Sequence, residues 1–347
     1  MTADKNEEQK RMLKELAASY REDPEILAEL YQFSSRFYNY SPNNQKLIYI
    51  QNPHATFVGS YKFWNDQGYR VQPGKGSGMA IFVPVHTTYA EIPDPNAPGK
   101  MTMTKISKIK DKDILSDIKA GKIKTQKVLH FGKGHVFDIS RTTCPKEDYP
   151  KYYHMGYDSQ EHAQICKSFG EFLKKEMETD VQYTDVESIG LRGLNKVGQH
   201  HIIINEKLND TERLSTLLHE GAHQLMHQDM ENCDKTTYEI EFEADSLAIM
   251  LQSRYDIPIE QGRKRHIANH YNNIRTFYQK QDPGNLSQED FINQKVDAAV
   301  DHAMHTFYVY QPIIDTYVES GLDPARHQPQ PIPLRNNIKQ KENDLER

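Results

Sequence analysis

Apolar positions recur at helical spacing from the start of the chain. Leu13, Leu16, Ala17 and Tyr20, then Ile26, Leu27, Leu30 and Tyr31, predict one or two helices across residues 5–38, interrupted near Asp23-Pro24. Pro24 suits the first turn of the second helix. A short helix is expected from Ser41 through Tyr49, broken at Gln51-Asn-Pro. The period then shortens to that of strands, at Thr56-Phe-Val-Gly, Tyr69-Arg-Val and Met79-Ala-Ile-Phe-Val-Pro-Val, with the turn-rich Gln72-Pro-Gly-Lys-Gly-Ser-Gly between the last two. Residues 86–126 are Lys-rich, Pro-punctuated and weakly periodic, and read as a partly helical insertion. Lys127-Val-Leu-His and His135-Val-Phe-Asp-Ile look like a returning strand pair.

The two prolines and several charges of residues 142–158 have the composition of a linker. Beyond it the pattern predicts a helix near Ser159–Glu178, strands near Val181 and at His200-His-Ile-Ile-Ile-Asn, and a helix opening at Asn209 or Asp210, where Glu212 completes a capping box. The strand at 200 suits either an edge that could pair with an extended substrate or a buried core position. A helix over about 237–254 follows, then further helices to about 320, then a Pro-rich, charged tail from 328 that is expected to be disordered. The 347 residues are enough for two domains. The fold class expected is α+β: an N-terminal mixed α/β domain (1–141), a linker (142–158), an α-rich domain (159–327) and the tail (328–347).

Composition narrows the partners. No apolar run approaches the roughly 20 residues of a membrane helix, and the charged start lacks the apolar stretch of a secretory signal, so no membrane partner and a cytoplasmic location are expected. Cys144, Cys166 and Cys233 form no C-x-x-C pair, against a disulfide scaffold or a thiolate metal site. Residues 1–140 carry 20 basic against 15 acidic side chains, and the remainder 23 against 34. The first part thus has the electrostatic character for an anionic partner.

The chemistry concentrates in Leu217-Leu-His219-Glu220-Gly-Ala-His223-Gln-Leu-Met. Residues four apart on a helix lie one above the other, so His219 and His223 can share one ion while Glu220 sits beside them as general base. The plain alternative is a solvated His/Glu face. Leu217, Leu218, Ala222 and Leu225 set the helix in a core instead, where paired histidines need a partner such as a metal. Catalytic zinc takes three protein ligands and a water. Asp229 stands ten residues after His219, where the metzincin pattern H-E-x-x-H-x-x-G-x-x-H places its last ligand, but Met226 occupies the position where that pattern needs a glycine to turn the chain. Glu241, in Glu239-Ile-Glu241-Phe-Glu243-Ala-Asp245, is the favoured third ligand. Asp245, four residues on, can accept the outer N–H of a ligating histidine. Of Glu239 and Glu243, one is expected to be solvated. His227 is expected to lie behind the ligands or on the surface. An oxyanion donor is open among His266, Tyr271, His302, His305, Tyr308 and Tyr310.

These motifs carry a resemblance. The run from Ile202 through His219-Glu220-Gly-Ala-His223 to Glu241-Phe-Glu-Ala-Asp245-Ser-Leu-Ala and Ile257-Pro258 resembles the ImmA/IrrE family of gluzincin-type metallopeptidases, over roughly residues 160–260. Gly221 and Ser246-Leu247 depart from the commonest residues there. The resemblance implies a zincin-like fold, Zn2+, ligands His219, His223 and Glu241, and Glu220 as base. The first part is similar to ArdC-like single-stranded-DNA-binding domains, through Tyr40-Ser-Pro-Asn-Asn-Gln-Lys-Leu-Ile, Gln51-Asn-Pro-His-Ala-Thr, Tyr61-Lys-Phe-Trp64, Gly68-Tyr-Arg-Val-Gln-Pro-Gly-Lys-Gly and Val136-Phe-Asp-Ile-Ser.

Binding single strands requires stacking rings and cations. Lys62, Trp64, Tyr69, Arg70 and Lys75 are the residues expected to bind ssDNA, with Tyr61, Phe63, Phe82 and the lysines of 105–127 in support. Gly74-Lys-Gly-Ser-Gly lacks P-loop spacing and reads as a turn. The expected function is a zinc metallopeptidase with an ssDNA-binding N-terminal domain, acting on an unidentified protein in antirestriction, conjugation or induction of a mobile element. The rival is a non-proteolytic ssDNA-binding protective protein whose metal fold is structural.

Overall fold

A computed structural model describes residues 6–72, 74, 78–94, 99–151, 159–185, 192–228, 235–259 and 261–322. Among them run α1 (Glu7–Glu22), α2 (Glu25–Ser34), α3 (Pro42–Gln51), β1 (Val58–Ser60), α4 (Tyr61–Asp66), β2 (Gly78–Pro93), β3 (Met101–Lys105), α5 (Lys112–Lys119) and β4 (Thr125–Asp138). Then come α6 (Ser159–Glu176), β5 (Asp180–Thr184), β6 (Gly193–Lys196), β7 (His201–Asn205), α7 (Asp210–His227), α8 (Thr237–Arg254), α9 (Gln261–Tyr278) and α10 (Gln288–Gly321). No helix among the described residues is long and apolar enough to cross a membrane. The expected disordered tail lies outside the described residues.

Among the described residues the chain forms two compact units whose borders differ from the expected segments, one drawn from 1–10 and 80–135 and the other from 11–79 and 136–347. The reason lies in burial. Leu27, Leu30 and Tyr31 of α2 are buried in the same core as Leu217, Leu218, Phe242 and Met250, and α2 packs on α8 and α9. The apolar faces at the start of the chain therefore belong with the C-terminal helices.

The smaller unit is built on β2, β3 and β4. The expected returning pair is one continuous strand, β4, and the Lys-rich stretch is a β-hairpin plus α5, begun by Asp111, whose carboxylate accepts from two backbone N–H groups of the first turn. Ile114, Leu115 and Ile118 of α5 cover Ala90, Ile92 and Ile109.

In the larger unit β1 pairs antiparallel with Val136–Asp138. A second sheet has the order β5-β7-β6, with β5 parallel and β6 antiparallel to β7. The strand at His201–Asn205 is thus central, with Ile202 and Ile204 fully buried, and the edge beside it is β6. Tyr69-Arg-Val contributes only an isolated bridge, from Val71 to Thr142. Helix α8 is enclosed by α7, α10, α9 and α2 and is buried at nearly every position from Glu239 to Gln252.

Candidate metal centre

Helix α7 opens with the expected capping box: Asn209 Oδ1 accepts from Glu212 N at 2.9 Å, and Glu212 Oε2 accepts from Asn209 N at 3.2 Å. Leu214, Leu217, Leu218, Ala222 and Leu225 turn inward. Gly221 lets α6 come close, since a Cβ there would lie 2.6 Å from a Phe169 ring carbon. With that face committed to the core, His219, Glu220 and His223 are left on the opposite, half-buried side.

One donor atom each from His219, His223 and Glu241 lies within 4.8 Å of the others. His223 Nε2 is 3.8 Å from Glu241 Oε2, and His219 Nδ1 is 3.2 Å from Asp245 Oδ1, which leaves His219 Nε2 to bind. Two ligands about 2.0–2.1 Å from a tetrahedral ion stand roughly 3.4 Å apart. These groups need only a small inward shift to share one. Two imidazoles and a carboxylate fit a divalent metal of this kind. Burial, with help from His219 and His227, lowers the pKa of His223 to about 3, so its ring is neutral and its lone pair available. For His219, burial works against the charged form, but Asp245 and Glu220 outweigh it and raise its pKa.

Burial also raises the pKa of Glu220, opposed by His219 and reinforced by Glu241. Strand β6 lies over this residue. Asn195 Nδ2 donates to the Glu220 carbonyl at 2.7 Å, and a Cβ on Gly193 would stand 2.7 Å from Thr216 Cγ2 and 3.2 Å from Glu220 Oε1. Beside His219, the Asp245 carboxyl is disfavoured as a charge by burial, yet His219, His270 and Arg263 hold it far below the ordinary carboxylate range. A cleft of about 770 Å³ opens on this group, lined by His219, Glu241 and Asp245 together with Arg263, His266 and His270.

Two expectations for neighbouring residues are corrected. Neither Glu239 nor Glu243 is solvated, because both are buried where neighbouring helices pack on α8. Glu239 Oε2 accepts from Thr236 N, Thr236 Oγ1 and Tyr278 OH at 2.8–2.9 Å. Glu243 is 1% exposed and accepts from His227 Nε2 at 2.9 Å and from Lys235 Nζ at 2.6 and 2.8 Å, with His302 Nδ1 at 3.2 Å. His227 is therefore buried in an ionic network rather than placed on the surface. Of the oxyanion candidates, only His266 lines the cleft; Asp229 lies outside the described residues.

The residues expected to bind ssDNA are not gathered into an aromatic groove. Trp64 is 0% exposed, donates from Nε1 to the Phe137 carbonyl at 3.0 Å and packs with Phe57, Phe63 and Tyr69. Its ring has no face for a base, and it is a core residue. Tyr69 OH donates to Asp148 Oδ2 at 2.7 Å, Lys62 pairs with Asp66 at 2.5 Å, Arg70 is exposed, and Lys75 lies outside the described residues. The sequence reading missed β6, Arg263 and His270. The spacing of Arg263, His266 and His270, three then four residues, is the one local signal that could have placed them on a single helix face.

The fold of the larger unit and its His-His-Glu group define a metallopeptidase-like domain. The family model of the IrrE N-terminal-like domain (Peptidase_M78) matches residues 174–281, which include all of the residues of the group. An uncharacterized protein of Bacillus anthracis is 27% identical over 266 residues, covering 72% of this chain and 44% of that protein, so the chain spans less than half the length of this relative. Two solved structures of the antirestriction protein ArdC from plasmid R388 are also similar. The metal-free one is 11% identical with a TM-score of 0.45, covering 82% of this chain and 87% of that one. The Mn(II)-bound one is 12% identical with a TM-score of 0.45, covering 89% and 97%.

Proposed function

We propose that this chain is a zinc metallopeptidase that also binds single-stranded DNA and serves antirestriction or the transfer of a mobile element. The observation that carries the reading is the convergence of His219, His223 and Glu241, with Glu220 beside them and Asp245 behind His219. His219, His223 and Glu241 would hold the zinc, which when bound would supply a Lewis acid and a water whose pKa falls towards about 7. His219 is oriented by the Asp245 carboxylate, 3.2 Å from its Nδ1, which leaves Nε2 as the ligating atom. Glu220, its carboxyl pKa raised by burial, takes a proton from the attacking water and returns it to the leaving amine nitrogen. Strand β6, an edge among the described residues, offers backbone groups next to Glu220 for an extended peptide.

For DNA the smaller unit is the better location. Residues 80–135 hold ten lysines against five acidic side chains, a net of +5. Lys127, Leu129, Phe131 and Lys133 alternate along one face of β4, with Phe131 57% exposed. An exposed ring with an aliphatic neighbour, flanked by cations, suits a stacked base and phosphates.

Purified protein should carry about one zinc per chain, lost in His223→Ala and kept in Glu220→Gln. Cells expressing wild type should lack, or show clipped, a protein that stays intact with Glu220→Gln. Metal-free wild type, or identical proteomes, would refute the peptidase. In the full chain, Phe131→Ala with Lys127→Ala should weaken a salt-sensitive anisotropy signal on labelled ssDNA.

A further inference from the structure

The cleft beside the candidate zinc ligands contains a second tripod of donors. His266 and His270 are four residues apart on α9 and so share a face, and one donor atom from each lies within 4.8 Å of the others and of a carboxylate oxygen of Asp245. The arrangement repeats that of His219, His223 and Glu241: a helical histidine pair completed by a carboxylate from α8. Asp245 faces both groups. Its Oδ1 is 3.2 Å from His219 Nδ1, while Oδ2 is 3.5 Å from His270 Nε2. That second separation is longer than an ordinary N–H···O hydrogen bond, which clusters near 2.9 Å. It matches the roughly 3.4 Å between two ligands of one tetrahedral ion. His270 Nδ1 is buried without a hydrogen-bond partner, so the ring addresses its polar surroundings through Nε2. His266 is exposed at the cleft wall, and the cleft, about 770 Å³, admits a hydrated ion.

We propose that Asp245, His266 and His270 form a second, weaker divalent-cation site adjoining the first. Two imidazoles select borderline cations such as Zn2+, Co2+ or Ni2+ over Mg2+ or Ca2+. The site is the weaker one for two reasons: Arg263 stands 3.4 Å from Asp245 Oδ1, adding a positive charge, and Asp245 already serves His219. A second ion would occupy part of the cleft that a substrate must enter, so excess metal should inhibit. The assignment goes beyond the proposed function and does not depend on catalysis.

Isothermal titration of the metal-stripped full chain with Zn2+ or Co2+ tests it. Wild type should take two ions of distinct affinity, and His266→Ala with His270→Ala only the tighter. His266→Ala alone, at an exposed side chain that the fold does not need, should weaken the second ion by at least about tenfold. Removing the guanidinium in Arg263→Gln should tighten the second ion by on the order of tenfold. His223→Ala should lose the tight ion and keep the weak one. A wild type saturating at one ion with His223→Ala taking none, a second ion unchanged in His266→Ala, or loss of both ions in His223→Ala would overturn the proposal. A wild type showing only an ion that His266→Ala weakens would instead refute the zinc peptidase and leave this site standing.

Discussion

Replacing Glu243 by Gln should destabilise the larger unit without touching metal binding. The carboxylate is 1% exposed and accepts hydrogen bonds from His227 and Lys235 on either side of the α7–α8 connection. Burial alone would raise its pKa, but His227, His302 and Lys235 hold it down at about 2 rather than 4.5. That difference is worth about 3 kcal/mol. Removing one partner of a buried ion pair costs about 3–5 kcal/mol, and the lower end is expected because Lys235 and His302 are 32% and 37% exposed and can regain water. For a unit this large the melting temperature should fall by roughly 6 °C at neutral pH. The pH dependence has a definite sign. A pKa lower in the folded state means stability present above about 4.5 and lost as pH falls towards about 2. The gap between wild type and Glu243→Gln, followed by thermal melts, should therefore narrow from about 3 kcal/mol at pH 7 to about 1 kcal/mol at pH 3. A variant as stable as wild type at pH 7, or a gap that does not narrow in acid, would show that the network contributes little.

Two further substitutions probe β6 and the aromatic cluster. Gly193→Ala puts a methyl 2.7 Å from Thr216 Cγ2 and 3.2 Å from Glu220 Oε1; displacing the base by about an ångström should lower turnover on the order of a hundredfold while zinc content is unchanged, and turnover within twofold of wild type would contradict the placement of β6. Trp64→Ala empties the site of a fully buried ring and should cost about 3–5 kcal/mol in denaturant unfolding, whereas ssDNA affinity measured well below the melting temperature should stay within about twofold.

Legibility in the sequence followed the distance over which each signal acts. The capping box at Asn209 and Glu212, and the His219/His223 pair four residues apart, are local consequences of helix geometry and can be read from spacing. Glu241 and Asp245 could be placed because they recur at that same spacing on the next helix. His227 and Glu243 misled because their pairing joins two helices, and nothing within either helix says that this face of α8 is covered. Trp64 misled for a related reason: a ring among lysines fits a stacking platform, and only the three-dimensional position of Phe57, Phe63 and Tyr69 shows it enclosed. His201–Asn205 read equally well as edge or centre, since β-periodicity does not number the neighbours of a strand.

The packing of α2 against α8 has a consequence for how the molecule is made. Helix α2 ends at Ser34 and α8 begins at Thr237, so about 200 residues must be synthesised between them. At ~5–20 residues per second this takes ~10–40 s. Throughout that time Leu27, Leu30 and Tyr31 lack the α8 and α9 surface that covers them in the folded unit, and the unit cannot close until those helices have been made. A gene split at the expected linker would give a first product without the helices that cover these three side chains.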